Sequence, residues 1–176
     1  MFWRVHFFGK IPALLDVAQH FVLSPALPDR RLVQPVQEEA EAMTTVEDIN
    51  ECWGWTGLIA AEVLAENDFG NLIIRDEDGA YWWLCPQELR CHQVASHRAA
   101  FDALSYDQHF LQRWYAPDLM STARATLGPL ALGRKYCMTV PSALGGDCGP
   151  NNLATAPMSV LIRFSGEVAE AIDGAR

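Results

Sequence analysis

The chain has 176 residues, about one domain's worth, and half of them are hydrophobic, enough for a packed core. Against 13 Lys and Arg stand 22 Asp and Glu, a formal net charge of -9. That balance argues against a nucleic-acid-binding surface, since phosphate contact requires clustered cations and the sole lysines are Lys10 and Lys135.

An acidic domain suits a basic partner through charge complementarity, and charge alone serves solubility equally well. The five cysteines, Cys52, Cys85, Cys91, Cys137 and Cys148, are an odd number without framework spacing. They read as reduced thiols of a cytoplasmic protein. Lys10, Pro12 and Asp16 break up the apolar start, leaving neither a signal core nor a membrane span.

The first 42 residues differ from the rest. Phe2 to Val17 is apolar, and Pro25, Pro28 and Pro35 then break any helix before the acidic stretch Glu38–Glu41. Met43 reads as a fresh beginning. The chain thus divides into an N-terminal appendage or linker, residues 1–42, and an α+β domain, residues 43–176. Thr44 or Thr45 caps a short helix over Val46–Trp53 that stops at Gly54, and Trp55–Leu58 reads as a turn with a buried aromatic.

The stretch from Val63 to Gln87 reads as an antiparallel meander. Leu72-Ile73-Ile74 and Tyr81-Trp82-Trp83-Leu84 are β-prone. The Asp78-Gly79 step reverses the chain between them, and Asn67-Asp68-Phe69-Gly70 is a second turn that admits a strand over Val63–Glu66. A fourth strand follows over Cys91–Ala95. Ser96 caps a helix with Ala99, Ala100, Ala103 and Leu104 as its apolar positions. Further helices span Asp107–Trp114 and Pro117–Leu127, the last ended by Gly128-Pro129. Strands over Lys135–Val140 and Leu153–Ala156 flank a Gly-rich loop. A final helix over Pro157–Ile172 carries Val160, Leu161, Phe164, Val168 and Ile172 at helical spacing. The fold class is α+β, an antiparallel sheet packed on several helices.

Patterns that carry chemistry are weak here. Cys85, Cys91, His92 and His97 lack zinc-site spacing, and adjacent strand residues point to opposite faces. The run Gly128 to Lys135 lacks Gly-Lys-Ser/Thr and runs from helix to strand, the reverse of a P-loop. Leu144-Gly145-Gly146-Asp147 reads as a tight loop. Cys148 has no base nearby in sequence, and pairing it with His109 requires the fold to join them. Asp76-Glu77-Asp78-Gly79 lacks the spacing of a calcium loop. No catalytic, metal-binding or cofactor-binding residue is assigned. Asp76, Glu77 and Asp78 read instead as an acidic prong, joined by Glu66 and Asp68 of the neighbouring turn and by Asp147, facing a basic partner.

Several blocks together resemble a known family. They are Trp53–Leu58, Ala65–Leu72, Tyr81–Leu89, Leu127–Leu130, Gly133–Cys137, Leu144–Asp147, Asn151–Thr155 and Ile162–Ala169. Residues 43–172 are similar to the C-terminal domain of immunity proteins that neutralise type VI secretion DNase effectors. The resemblance implies a cytoplasmic, non-enzymatic protein that occludes a cognate, basic, nuclease-like toxin, with no nucleic acid or membrane as partner. The alternative is a small-ligand or regulatory binding module walled by the aromatic meander and the Gly145-Gly146 loop. A third reading, a cysteine- or metal-dependent hydrolase, requires bound zinc or a thiol of low pKa. At the front, Phe7–Leu14 is similar to the opening of a type VI secretion accessory protein family.

Overall fold

The computed structural model describes residues 44–175. The expectations placed on residues 1–42, including the resemblance at Phe7–Leu14, lie outside the described residues.

The first helix, α1, spans Val46–Trp53. Thr45 is its cap. The Thr45 hydroxyl accepts from Asp48 N at 3.2 Å, and the Asp48 carboxylate accepts from Thr45 N at 3.0 Å. The carboxylate also accepts from the Thr45 hydroxyl at 3.0 Å, and this donation from the Thr45 backbone and hydroxyl, helped by Arg163, holds the Asp48 carboxyl below its usual pKa against the opposing effect of burial. Ile49, Cys52 and Trp53 face inward at helical spacing. Trp53, not Trp55, is the buried aromatic here. It sits on the inward stripe and donates from Nε1 to the Ile162 carbonyl at 3.1 Å, whereas Trp55 stacks outside it and is 37% exposed.

Strands β1 (Ala60–Glu66), β2 (Leu72–Asp76), β3 (Tyr81–Cys85) and β4 (Arg90–Ala95) form one antiparallel sheet in chain order. The expected meander is present, with β1 three residues longer than the predicted strand. All of Leu72, Ile73 and Ile74 are buried because helices cover both faces of the sheet. On one face, Leu72, Ile74 and Leu84 pack with Ile49 and Trp53 of α1 and with Met158 and Ile162. On the other, Ile73, Trp83 and Cys85 pack with Phe101, Phe110 and Trp114.

The second face is built by α2 (Arg98–Leu104) and α3 (Gln108–Tyr115). The cap of α2 is His97 rather than Ser96, its Nδ1 accepting from Ala100 N at 3.2 Å. The contact α2 makes is through Phe101, which stacks on Tyr81 at 4.3 Å; Ala99 and Ala103 are exposed. Asp107 caps α3 by accepting from Phe110 N at 2.9 Å. Next comes α4 (Pro117–Leu127), with proline in its first turn.

Strands β5 (Arg134–Met138) and β6 (Leu153–Pro157) pair with each other as a separate two-stranded ribbon. Tyr136 N donates to the Asp68 carbonyl at 2.8 Å, tying the ribbon to the β1–β2 turn. Phe69, Ala123, Tyr136 and Leu153 form a smaller core between that turn, α4 and the ribbon.

The last helix, α5, spans Met158–Asp173. Its inward face is Met158, Leu161, Ile162, Ser165, Gly166, Val168 and Ala169, so Val160 of the predicted stripe lies outside at 39% exposure. The reason is a close helix crossing. A Cβ on Gly166 would lie 2.5 Å from the Cys52 carbonyl oxygen and 3.0 Å from Trp53 Nε1. Small residues form that seam, which a search for apolar spacing overlooks.

Candidate partner-binding surface

The acidic residues singled out in the sequence divide between two ends of the meander and a loop. Consecutive turns of a meander lie at opposite ends of its strands. Five residues of β2, about 17 Å of extended chain, therefore separate the β1–β2 turn from the β2–β3 turn. The two turns do not form one prong.

At the β2–β3 turn, Asp76 is 8% exposed. Its Oδ1 accepts from Ala80 N and its Oδ2 from Trp82 Nε1, each at 2.7 Å. Gly79, at φ 83°, completes the reversal, and its N–H donates to the Asp76 carbonyl at 3.1 Å. Asp76 thus holds the turn together. Glu77 and Asp78 beside it are exposed and make no ion pair among the described residues.

The β1–β2 turn is closed by amides. Asn67 Oδ1 accepts from Phe69 N, Asn71 N and Asn71 Nδ2 at 2.9 to 3.2 Å, and Asn67 Nδ2 donates to the Trp114 carbonyl at 2.7 Å. Asn71 Oδ1 accepts from Trp83 Nε1 at 3.1 Å. Gln87 accepts from Asn71 Nδ2 at 3.2 Å and donates to the Phe69 carbonyl. The acids here are paired, Glu66 with Lys135 at 2.9 Å and Asp68 with Arg124 at 2.9 Å. Sequence reasoning missed the Asn67–Asn71–Gln87 network. The signal was there, two asparagines flanking a turn and a glutamine after an aromatic strand.

Asp147 lies in the loop between β5 and β6 and is exposed; its Oδ1 accepts from Gly149 N at 2.8 Å. Asn152 Nδ2 ties that loop by donating to the carbonyls of Val140 and Asp147 at 2.9 and 2.8 Å. The proposed pocket walls are filled: Tyr81 and Trp83 are buried between sheet and helices. The cavity bounded by Gln87, Met138, Pro141, Leu161 and Ser165 is about 20 Å³, room for one water.

Cys85 and Cys91 pack on opposite faces of the sheet, His92 stacks on Trp83, and His97 is spent capping α2. Among the described residues no three His, Cys, Asp or Glu side chains gather around a metal-sized space. Burial pushes the thiols of Cys85 and Cys91 up to about 12 and that of Cys137 up to about 11. Cys148 and His109 are both exposed and share no hydrogen bond.

A larger depression lies elsewhere, between α1 and α5. It measures about 350 Å³ and is lined by Asp48, Ser159, Val160, Arg163, Phe164 and Glu167. Arg163 reaches Asp48 at 3.3 Å and Glu51 at 3.9 Å across it.

Residues 95–169 match the family described as T6SS immunity protein Tdi1, C-terminal. No curated protein matches the chain. The Tdi1 match lies within the span over which the sequence resembles immunity proteins. It takes in α2, α3, α4, the β5–β6 ribbon and most of α5. Among the described residues no helix is long and apolar enough to cross a membrane.

Proposed function

We propose that this chain is a non-enzymatic immunity protein of the bacterial cytoplasm. It binds a basic, nuclease-like toxin delivered by type VI secretion and covers its active site. The observation that carries this reading is the match of residues 95–169 to the Tdi1 immunity family. The net charge of -9 supports it, because a nuclease cleft is positive where it holds phosphate. Glu77 and Asp78 are the acids of the meander best placed to meet such a cleft. They are exposed and make no ion pair among the described residues, and the buried Asp76 carboxylate holds their turn in shape. Glu66, Asp68 and Asp147 contribute to the field with their charges partly spent on neighbours.

Co-expression with the products of adjacent genes tests the reading. The expected result is rescue from one toxic nuclease-like product, with a complex that weakens as salt rises. Failure to rescue from, and to bind, every such product overturns it. Stabilisation by a metabolite in place of a protein partner would favour the small-ligand alternative.

A further inference from the structure

The connection from α4 to β5 is an apolar loop turned to solvent. No charged residue lies between Arg124 and Arg134, in a chain of which 20% is charged. Leu127, Pro129, Ala131 and Leu132 are exposed in that run, Leu132 completely, at 100%. Single exposed apolar side chains are ordinary on a protein surface, but this run sets several side by side with no charge among them.

The loop is braced. Gly128 at φ 76° and Gly133 at φ 75° turn the chain out of α4 and into β5. The Gly128 carbonyl accepts from the Tyr136 hydroxyl, the Gly133 carbonyl from Met158 N at 3.1 Å and the Ala131 carbonyl from Arg134 N at 3.2 Å. Leu130 packs on the core formed by Phe69, Ala123, Tyr136 and Leu153. One leucine therefore anchors the loop, and the other is displayed. A segment already held in its bound shape loses little freedom on association, which suits its exposed side chain to fill a pocket in a partner.

We infer that Leu132 is an apolar anchor of the toxin interface, seated in an apolar pocket of the toxin. This contact rests on the immunity reading above and adds to it a surface that charge does not supply. The loop lies inside residues 95–169, the segment that matches the immunity family, whereas Glu77 and Asp78 lie outside it. Neither cavity described above seats the loop in a second copy of the chain. The one beside Gln87 holds a single water, and the depression between α1 and α5 carries Asp48, Arg163 and Glu167, charges that an apolar loop would cut off from water. An anionic bilayer surface repels a chain of net charge -9.

The test uses the full chain and, as probe, the purified product of the adjacent gene from which the chain rescues cells. Leu132→Ser removes the apolar side chain, and Leu132→Met keeps it. Glu77→Lys with Asp78→Lys alters the meander tip for comparison. The melting temperature should stay unchanged in both Leu132 variants, because that side chain is fully exposed. Leu132→Ser should bind on the order of tenfold more weakly through faster dissociation, with the salt dependence of wild type. Leu132→Met should bind about as tightly as wild type. Wild-type affinity in Leu132→Ser overturns the anchor; if the tip variant is weakened at the same time, the immunity reading stands without it. Leu132-dependent sedimentation with phosphatidylcholine or phosphatidylglycerol vesicles also overturns it, by assigning the loop to a membrane. If the wild-type chain binds no such product, both readings fall.

Discussion

The two ends of the meander are built from similar residues and put to different use. At the β1–β2 end every polar group has a partner: Asn67, Asn71 and Gln87 bond to one another and to backbone, and Glu66 and Asp68 are neutralised by Lys135 and Arg124. At the β2–β3 end Asp76 alone is satisfied internally, and Glu77 and Asp78 are left to solvent. The first end is a joint, where the sheet meets α3, α4 and the ribbon. The second is a tip, where the side chains of the two acids make no ion pair among the described residues. Acidic composition alone does not separate a structural carboxylate from one available to a partner; the number of bonds each already makes does.

Breaking the joint should cost the most. Trp83 is buried, donates to Asn71 Oδ1, meets Phe110 and Trp114 edge-on at 5.3 and 5.8 Å, and lies under the Arg113 guanidinium at 4.9 Å. Trp83→Ala should destabilise the domain by about 3–5 kcal/mol, read by chemical denaturation. Asn67→Ala removes the acceptor of three N–H donors and the donor to Trp114, and should cost about 1–3 kcal/mol.

The tip separates stability from binding. Asp76→Ala leaves Ala80 N and Trp82 Nε1 without an acceptor and should cost about 1–2 kcal/mol. The same change should weaken toxin binding by loosening the turn that presents the neighbouring acids. Glu77→Lys with Asp78→Lys should leave stability within about 0.5 kcal/mol and slow association with the toxin. Equal losses of stability from the tip and joint variants would erase the contrast between the two ends.

How much of this was legible in the sequence differs element by element. The Asp-Gly turn, the aromatic strand and the threonine cap act through neighbours in the chain, and their positions were readable. The inward face of α5 was not, because it depends on Gly166 admitting the Cys52 carbonyl from a helix more than a hundred residues away. The acidic group failed as a cluster for a similar reason. Turns adjacent in sequence suggest adjacency in space, whereas a meander sends them to opposite ends. Asp76 and Asp78 are alike in sequence, and what separates them is that Ala80 N and the Trp82 indole donate to Asp76. The amide network was hidden because asparagine at a turn looks local, while Asn67 also reaches Trp114 on α3.

The smallest expected effect is a titration at the face that carries the joint. His92 stacks on Trp83 at 6.1 Å, half-buried, with no hydrogen-bond partner at Nδ1 among the described residues. Burial foremost, then the charges of Arg90 and Arg113, hold its pKa below the usual 6.5, with Glu88 opposing. The unfolded chain therefore binds a proton at His92 more readily than the folded one does. Stability contributed by the neutral imidazole is complete above about pH 6.5 and is lost as the pH falls from there toward the folded-state pKa. Below that lower value both states are protonated and the loss levels off. His92→Gln should remove this step from a plot of melting temperature against pH between about 7.5 and 5, leaving the carboxylate-driven fall at lower pH in place. An unchanged step in His92→Gln would assign it to another group and free His92 from any part in the joint.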